Sequence, residues 1–331
     1  MNNVKLDEFV PFAGDHCETV ATGTLLNRLD IDLPESVLFG LGEGLSFLLL
    51  NLSSLPLPFV GGRVKPFTLT QTLCDNLGLH LQTTETTSKA RAFSRLKESL
   101  TDGVPVALQL DCYYLEYFSE PVHFAGHFVA AYGLEENHVL LVDTRQQGCQ
   151  VSSSIDSVEK ARFEKGPMSA RARSWTITGN LSEDRVPEAA IKAIRGNARA
   201  FLNPQFKGAT YFGIQKLAKS LPKWLEIAKD PENDFPLASL LMERAGTGGS
   251  IFRVFYRDFL HEIQCELPKH KAVLKKAELL FEHSAENWRI VSEKIGECGA
   301  TLNVELLQEA AELCEKNAEI EVSAMEILAE I

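Results

Sequence analysis

The chain has 331 residues, 45% of them hydrophobic and 24% charged, with a formal net charge of −12. These proportions are ordinary for a folded globular protein and exclude a disordered chain, and the length predicts two domains. The negative balance argues against nonspecific binding to nucleic acid or to an anionic membrane surface.

The seven cysteines (Cys17, Cys74, Cys112, Cys149, Cys265, Cys298 and Cys314) form no CxxC pair. Neither a cysteine metal cluster nor a redox dithiol is therefore expected. Their odd number, and a start at Met1-Asn2-Asn3-Val4-Lys5 without basic or apolar signal character, predict free thiols in a reducing cytoplasm. The longest apolar run, residues 45–52, is broken by Ser46 and Asn51 and is too short to span a bilayer. No metal, cofactor, nucleic-acid or membrane partner is expected, and a homo-oligomer is compatible with the composition.

Taken in order, the chain first offers Gly14-Asp15-His16-Cys17-Glu18-Thr19 ahead of Ala21, Leu25, Leu26 and Leu29 at helical spacing. Cys17 is thus predicted at or near a helix N-terminus, where free N–H groups and the positive end of the dipole favour a thiolate. After a break at 30–34, Pro34-Glu35-Ser36 starts a short helix. The alternate glycines Gly40, Gly42 and Gly44 around Glu43 fit neither phosphate-loop spacing. They predict a turn in close approach to another element, or the wall of a substrate channel with Glu43 as a binding residue. Residues 55–58 and 61–63 read as a loop and a turn.

A helix over 70–77 with Gly78 as C-cap follows, then a strand over 80–84 and an amphipathic helix over 88–100. Lys89, Arg91, Arg95 and Lys97 make that helix basic, either as a solvated face or as a dock for an acidic partner. Three apolar runs, 104–111, 127–133 and 139–143, read as strands, and the short polar link between the last two predicts an antiparallel hairpin. Helices followed by a sheet give an α+β domain over 1–180, closed by a strand at 172–178. The domain over 181–331 reads as all-helical, with helices at 186–202, 208–221, 237–243, 252–266, 272–298 and 304–331. Before the fourth of these, the glycine loop 244–250 either presents N–H groups to an anion or makes a tight connection with Ser250 as N-cap. On the first reading, Gly248, Gly249 and Arg253 are substrate-binding candidates.

Cysteine catalysis needs an imidazole to share the thiol proton and a polar group to hold the ring. His127 opens one strand of the predicted hairpin and Asp143 closes the next, so both fall on one edge of the sheet. Asp143 can then accept one ring N–H and leave the other nitrogen for Cys17. His16 adjoins Cys17 but points elsewhere on entering the helix, so it is a candidate for binding or polarising substrate rather than a base, and Asp111, the carboxylate that ends the first apolar run, is a further substrate-binding candidate. His123, four residues before His127, is the second choice for the base. The separation of Cys17 from His123 matches no zinc spacing.

Gly14 to Thr19, Phe39-Gly40-Leu41-Gly42-Glu43-Gly44, Asp111-Cys112-Tyr113-Tyr114, His127-Phe128-Val129 and Val142-Asp143 together resemble the N-terminal domain of the butirosin-biosynthesis protein H family. Gly246-Thr247-Gly248-Gly249 through Phe252-Arg253 to Tyr256, Asp258, Phe259 and Leu260 resembles the helical domain of unassigned function that commonly follows it. The resemblance implies a papain-like thiol fold related to bacteriocin-processing peptidases. It also implies transfer of an acyl group from a carrier-protein or coenzyme A thioester to a small amine, with Cys17 carrying the acyl group, His127 moving protons and Asp143 orienting His127. The helical domain would then shape the acceptor pocket. Where related peptidases place an oxyanion-hole Gln, this chain has Val10, Pro11, Phe12 and Ala13. With the same triad, a peptidase or amide hydrolase would release acid to water and a cyclase would need no separate acceptor. An inert Cys17 would mark a binding protein.

Overall fold

The computed structural model describes residues 3–7, 9–52, 55–119, 122–182, 184–243 and 248–331. They divide into two compact units, Met1–Leu38 with Pro66–Glu183, and Phe39–Lys65 with Asp184–Ile331. Strand β1 (Val4–Lys5) precedes helix α1 (Cys17–Asn27), and α2 (Glu35–Leu41) carries the chain from the first unit into the second. There the hairpin β2 (Leu45–Leu50) and β3 (Phe59–Arg63) forms before the chain returns. The first unit continues through α3 (Thr68–Leu77), β4 (His80–Thr84), α4 (Lys89–Thr101), β5 (Val106–Leu110), β6 (His127–Glu135), β7 (His138–Val142), β8 (Gln150–Ser154), α5 (Ile155–Phe163) and β9 (Ser174–Thr178). Helices follow: α6 (Arg185–Leu202), α7 (Thr210–Ser220), α8 (Trp224–Ile227), α9 (Pro231–Glu243), α10 (Ser250–Glu262), α11 (Lys271–Thr301) and α12 (Val304–Ala329).

The first unit is α+β, as expected. Its antiparallel sheet runs β4-β9-β5-β6-β7-β8, with β1 added to β6. Period-two alternation covers both faces. Val129 and Ala131 of β6 join Leu96 and Leu100 of α4 and Val158 and Ala161 of α5 in one core. Phe128, one residue before Val129 and so on the other face of the strand, packs edge-on to Trp175, which meets Phe67 just before α3. Helix α1 lies along β6 and is pinned to α3 by buried Glu18, whose carboxylate accepts from the Thr70 N–H and hydroxyl, both at 3.1 Å. The expected hairpin is present, with Ala130 opposite Val142 and Glu135 opposite His138. Gly78 caps α3 at φ 72°, the left-handed conformation that glycine adopts without strain. Strand β8 and helix α5 had no counterpart among the expected elements.

The second unit is helical apart from β2–β3. Residues 39–65, expected with the first domain, pack here for reasons the side chains make plain. Phe39 stacks on Phe252 at 5.4 Å and Phe47 on Trp288 at 5.4 Å. The β2 backbone is held by Asn197, whose amide donates to the Leu45 carbonyl at 2.7 Å, and by the Leu49 N–H donating to Gly208 O at 2.8 Å. Among the described residues, no helix is long and apolar enough to cross a membrane.

The centre of this unit is an ion pair with no exposure at either side chain. Arg253 donates from Nε and Nη2 to the two oxygens of Glu321 at 2.9 and 2.8 Å, and from Nη1 to Gly62 O at 3.3 Å. Ser284 and Trp288 also donate to Glu321, at 2.7 and 2.8 Å. Removing one partner from such a network strands the other charge. Glu321→Ala should lower stability by about 3–5 kcal/mol, read as an earlier urea transition in far-UV circular dichroism. A loss within experimental error would contradict the assignment of this pair as the centre of the unit.

Candidate active site

Helix α1 begins at Cys17, with His16 as the extended residue before it. The first N–H groups of a helix have no carbonyl four residues back, and here a side chain from the next helix takes the earliest of them. The Glu35 carboxylate accepts from the Asp15 N–H at 3.0 Å, the His16 N–H at 2.9 Å and the Thr19 hydroxyl at 2.7 Å. Burial pushes Glu35 above the usual carboxylate range, against the pull of these three bonds. A Cβ on Gly14 would lie 2.6 Å from this carboxylate, so a larger residue there would have to displace it. The dipole end credited with favouring a Cys17 thiolate is therefore already met by an anion. The Cys17 N–H is not among the groups that Glu35 accepts from.

Arg145 joins this turn to the hairpin. Its N–H donates to Gly14 O at 2.8 Å, and its guanidinium donates to Ala13 O at 2.8 Å and to Asp15 at 2.9 Å. Two residues earlier stands Asp143, fully buried and held by its own N–H donating to Cys149 O at 2.8 Å. His127 Nε2 lies 2.7 Å from Asp143 Oδ2. The other ring nitrogen, Nδ1, is thereby left for Cys17, to which His127 is joined by a side-chain hydrogen bond. Burial of the ring, the largest influence, pushes its pKa down. The Asp143 carboxylate and Cys17 together outweigh that and hold it well above the ordinary imidazole value.

Tyr117, absent from the sequence-based candidates, donates its hydroxyl to Asp143 Oδ2 at 2.7 Å. Burial, then the neighbouring Asp143 charge, pushes its pKa well up, so it stays a donor. The Thr144 N–H supplies Oδ1 at 2.7 Å, and Phe118 meets the His127 ring edge-on at 5.4 Å. Asp143 thus receives bonds at both oxygens, which hold its carboxylate against the ring. Within the same cluster, burial pushes the Cys112 thiol up to about 11. Tyr117 lies in the run Cys112-Tyr113-Tyr114-Leu115-Glu116-Tyr117-Phe118, whose aromatic density was the available signal.

The remaining candidates are placed differently. His16 is buried, with Nδ1 3.4 Å from the Thr19 hydroxyl, and so presents no surface to substrate. Asp111 is buried and accepts from the Tyr113 and Phe124 N–H groups at 3.0 and 3.1 Å, which makes it a staple of the segment between β5 and β6. His123 turns to Asp111 rather than to Cys17. Glu43, Gly248, Gly249 and Arg253 belong to the second unit. The Glu43 carboxylate lies against Gly196 so closely that a Cβ there would sit at 2.5 Å. A Cβ on Gly248 would meet Val60 O at 2.8 Å. Gly249, not Ser250, is the N-cap of α10 (φ 80°), and the anion at that helix start is Glu243, accepting from the Ser250 N–H at 3.0 Å and its hydroxyl at 2.5 Å. Arg253 is committed to Glu321, so it is not available to substrate. Residues 244–247 of that loop lie outside the described residues.

Comparison with curated proteins finds no match. Comparison with protein families finds two. The family described as butirosin biosynthesis protein H, N-terminal, matches residues 16–144, the span that contains Cys17, His127 and Asp143. A domain of unknown function, DUF4872, matches residues 156–328. The two follow one another in the order that the sequence motifs implied: the chain belongs to the DUF4872 family, which spans more than half of it, and carries a butirosin biosynthesis protein H N-terminal domain ahead of that part.

Proposed function

We propose that this chain is an acyltransferase that makes an amide through an acyl-Cys17 intermediate. The donor is a thioester of a carrier protein or coenzyme A, and the acceptor is a small amine. The observation that carries this reading is the bonded series from Cys17 through His127 to Asp143, with Tyr117 behind it. A helix-start thiol set against an antiparallel hairpin bearing His and Asp also agrees with a papain-like domain, and the family supports a role in natural-product biosynthesis.

In the first half-reaction Cys17 Sγ attacks the thioester carbonyl carbon, forming one C–S bond. Collapse of the tetrahedral adduct breaks the donor's C–S bond, and the leaving sulfur takes the proton held on His127. Exchange between a thiol and a thioester is nearly balanced in free energy, so the acyl group waits on Cys17 without a large driving force. In the second half-reaction the amine nitrogen attacks the same carbon, gives a proton to His127 and expels the Cys17 sulfur. The Cys17 N–H is the backbone donor suited to the developing oxyanion.

Two outcomes test this reading. Incubated with a small thioester, the protein should gain one acyl mass by intact mass spectrometry, and Cys17→Ala should gain none; labelling that survives the substitution would rule out the covalent route. Asp143→Asn should slow turnover by about 10²-fold. It should also move the alkaline limb of the pH–rate profile to lower pH, because the carboxylate raises the His127 pKa and the competent protonated ring is lost as pH rises through that value. An unmoved alkaline limb would contradict the role given to Asp143.

A further inference from the structure

Counting protons in the second half-reaction exposes a requirement that the triad does not meet. A primary amine reaches the site at neutral pH as an ammonium ion. It must lose one proton before its lone pair can attack and a second after the C–N bond forms. His127 enters this half-reaction neutral, having given its proton to the departing donor thiol, and can take only one. Water as nucleophile gives one proton to His127 and needs no second base. Amide formation from an ammonium ion does.

A second imidazole stands at the same end of the sheet. Leu110 pairs with His127, so Asp111 follows at the edge where His127 begins. Asp111 Oδ2 lies 3.2 Å from His123 Nδ1, with the carboxylate side chain 4% exposed and the imidazole 58% exposed. The ring is stacked on Tyr113 at 4.0 Å and 10°, with Tyr114 edge-on at 6.0 Å. It is therefore oriented by a buried carboxylate and clamped by aromatic rings, while Nε2 is left to meet a substrate. Glu164, which bonds Tyr114, also interacts with His123. Cys112, next to Asp111, senses Cys17, His127 and Asp143 as well as Asp111, as a neighbour of both groups would.

We infer that His123, oriented by Asp111, is the second base of the reaction, taking the first proton from an ammonium acceptor at Nε2 and passing it to solvent. The inference rests on the acyl-transfer reading of Cys17. It assigns to this dyad the choice of amine over water, since only the amine route uses it.

The test follows the loss of the acyl group from Cys17 by quenched-flow mass spectrometry, after loading with the N-acetylcysteamine thioester of acetate. Ethanolamine, an ammonium ion at neutral pH, is compared with hydroxylamine, which is uncharged there. His123→Gln, an exposed change, should load at the wild-type rate and react with hydroxylamine within about twofold of wild type, yet react with ethanolamine at least about tenfold more slowly. Asp111→Asn should reproduce the pattern if it folds; His123→Gln decides the matter alone. Equal slowing with both nucleophiles marks a structural role for the segment and overturns the inference, as does an unchanged ethanolamine rate. Failure of the wild-type protein to load at Cys17 would instead overturn the acyl-transfer reading, and this inference with it.

Discussion

The bond between His127 and Asp143 is the interaction on which the rest of the candidate site depends. Asp143 has no exposure and would be costly to bury alone. It is made tolerable by donors at both oxygens, from His127, Tyr117 and the Thr144 backbone. The same bonds settle which nitrogen of His127 faces the carboxylate and so which one is left for Cys17. Because Asp143 and Cys17 together overcome the desolvation of the ring, the imidazole holds its proton well above the usual range. The sheet gives this arrangement its rigidity, since both residues stand at the ends of strands locked in register by Ala130 and Val142.

The electrostatics at Cys17 are divided between a carboxylate and an imidazole with opposite consequences. Glu35 occupies the helix start and opposes a nearby thiolate, whereas the protonated His127 favours one. A cysteine at a helix N-terminus is commonly explained by the dipole, but here the first free N–H groups already carry a carboxylate. The imidazole is then the main partner available to a thiolate. Glu35 also leaves the Cys17 N–H as the next donor in line, where an oxyanion would form.

Much of this arrangement was legible in the sequence, and the reasons for the exceptions are physical. Cys17, His127 and Asp143 could be named because a helix start and a two-strand hairpin are local features, and strand ends on one edge converge whatever the distant packing. Tyr117, Glu35 and Arg145 could not, because each acts through a side-chain contact that no periodicity marks. Arg253 looked like an anion binder beside a glycine loop, yet its partner Glu321 lies 68 residues further on, in a helix indistinguishable by pattern from its neighbours. Residues 39–65 were expected with the first domain because domains were read as continuous stretches. Phe39, Phe47 and the β2 backbone instead find their partners on helices beyond residue 184.

The central claim is that an acyl group rests on Cys17 between donor and acceptor, and pre-steady-state release of donor thiol tests it most directly. With a thioester and no amine, thiol should appear in a burst of one equivalent per chain. Peptide mapping of the quenched protein should find the acyl group at Cys17. Thiol release that shows no burst and begins only when amine is added would mean direct transfer in a ternary complex, and would contradict the account.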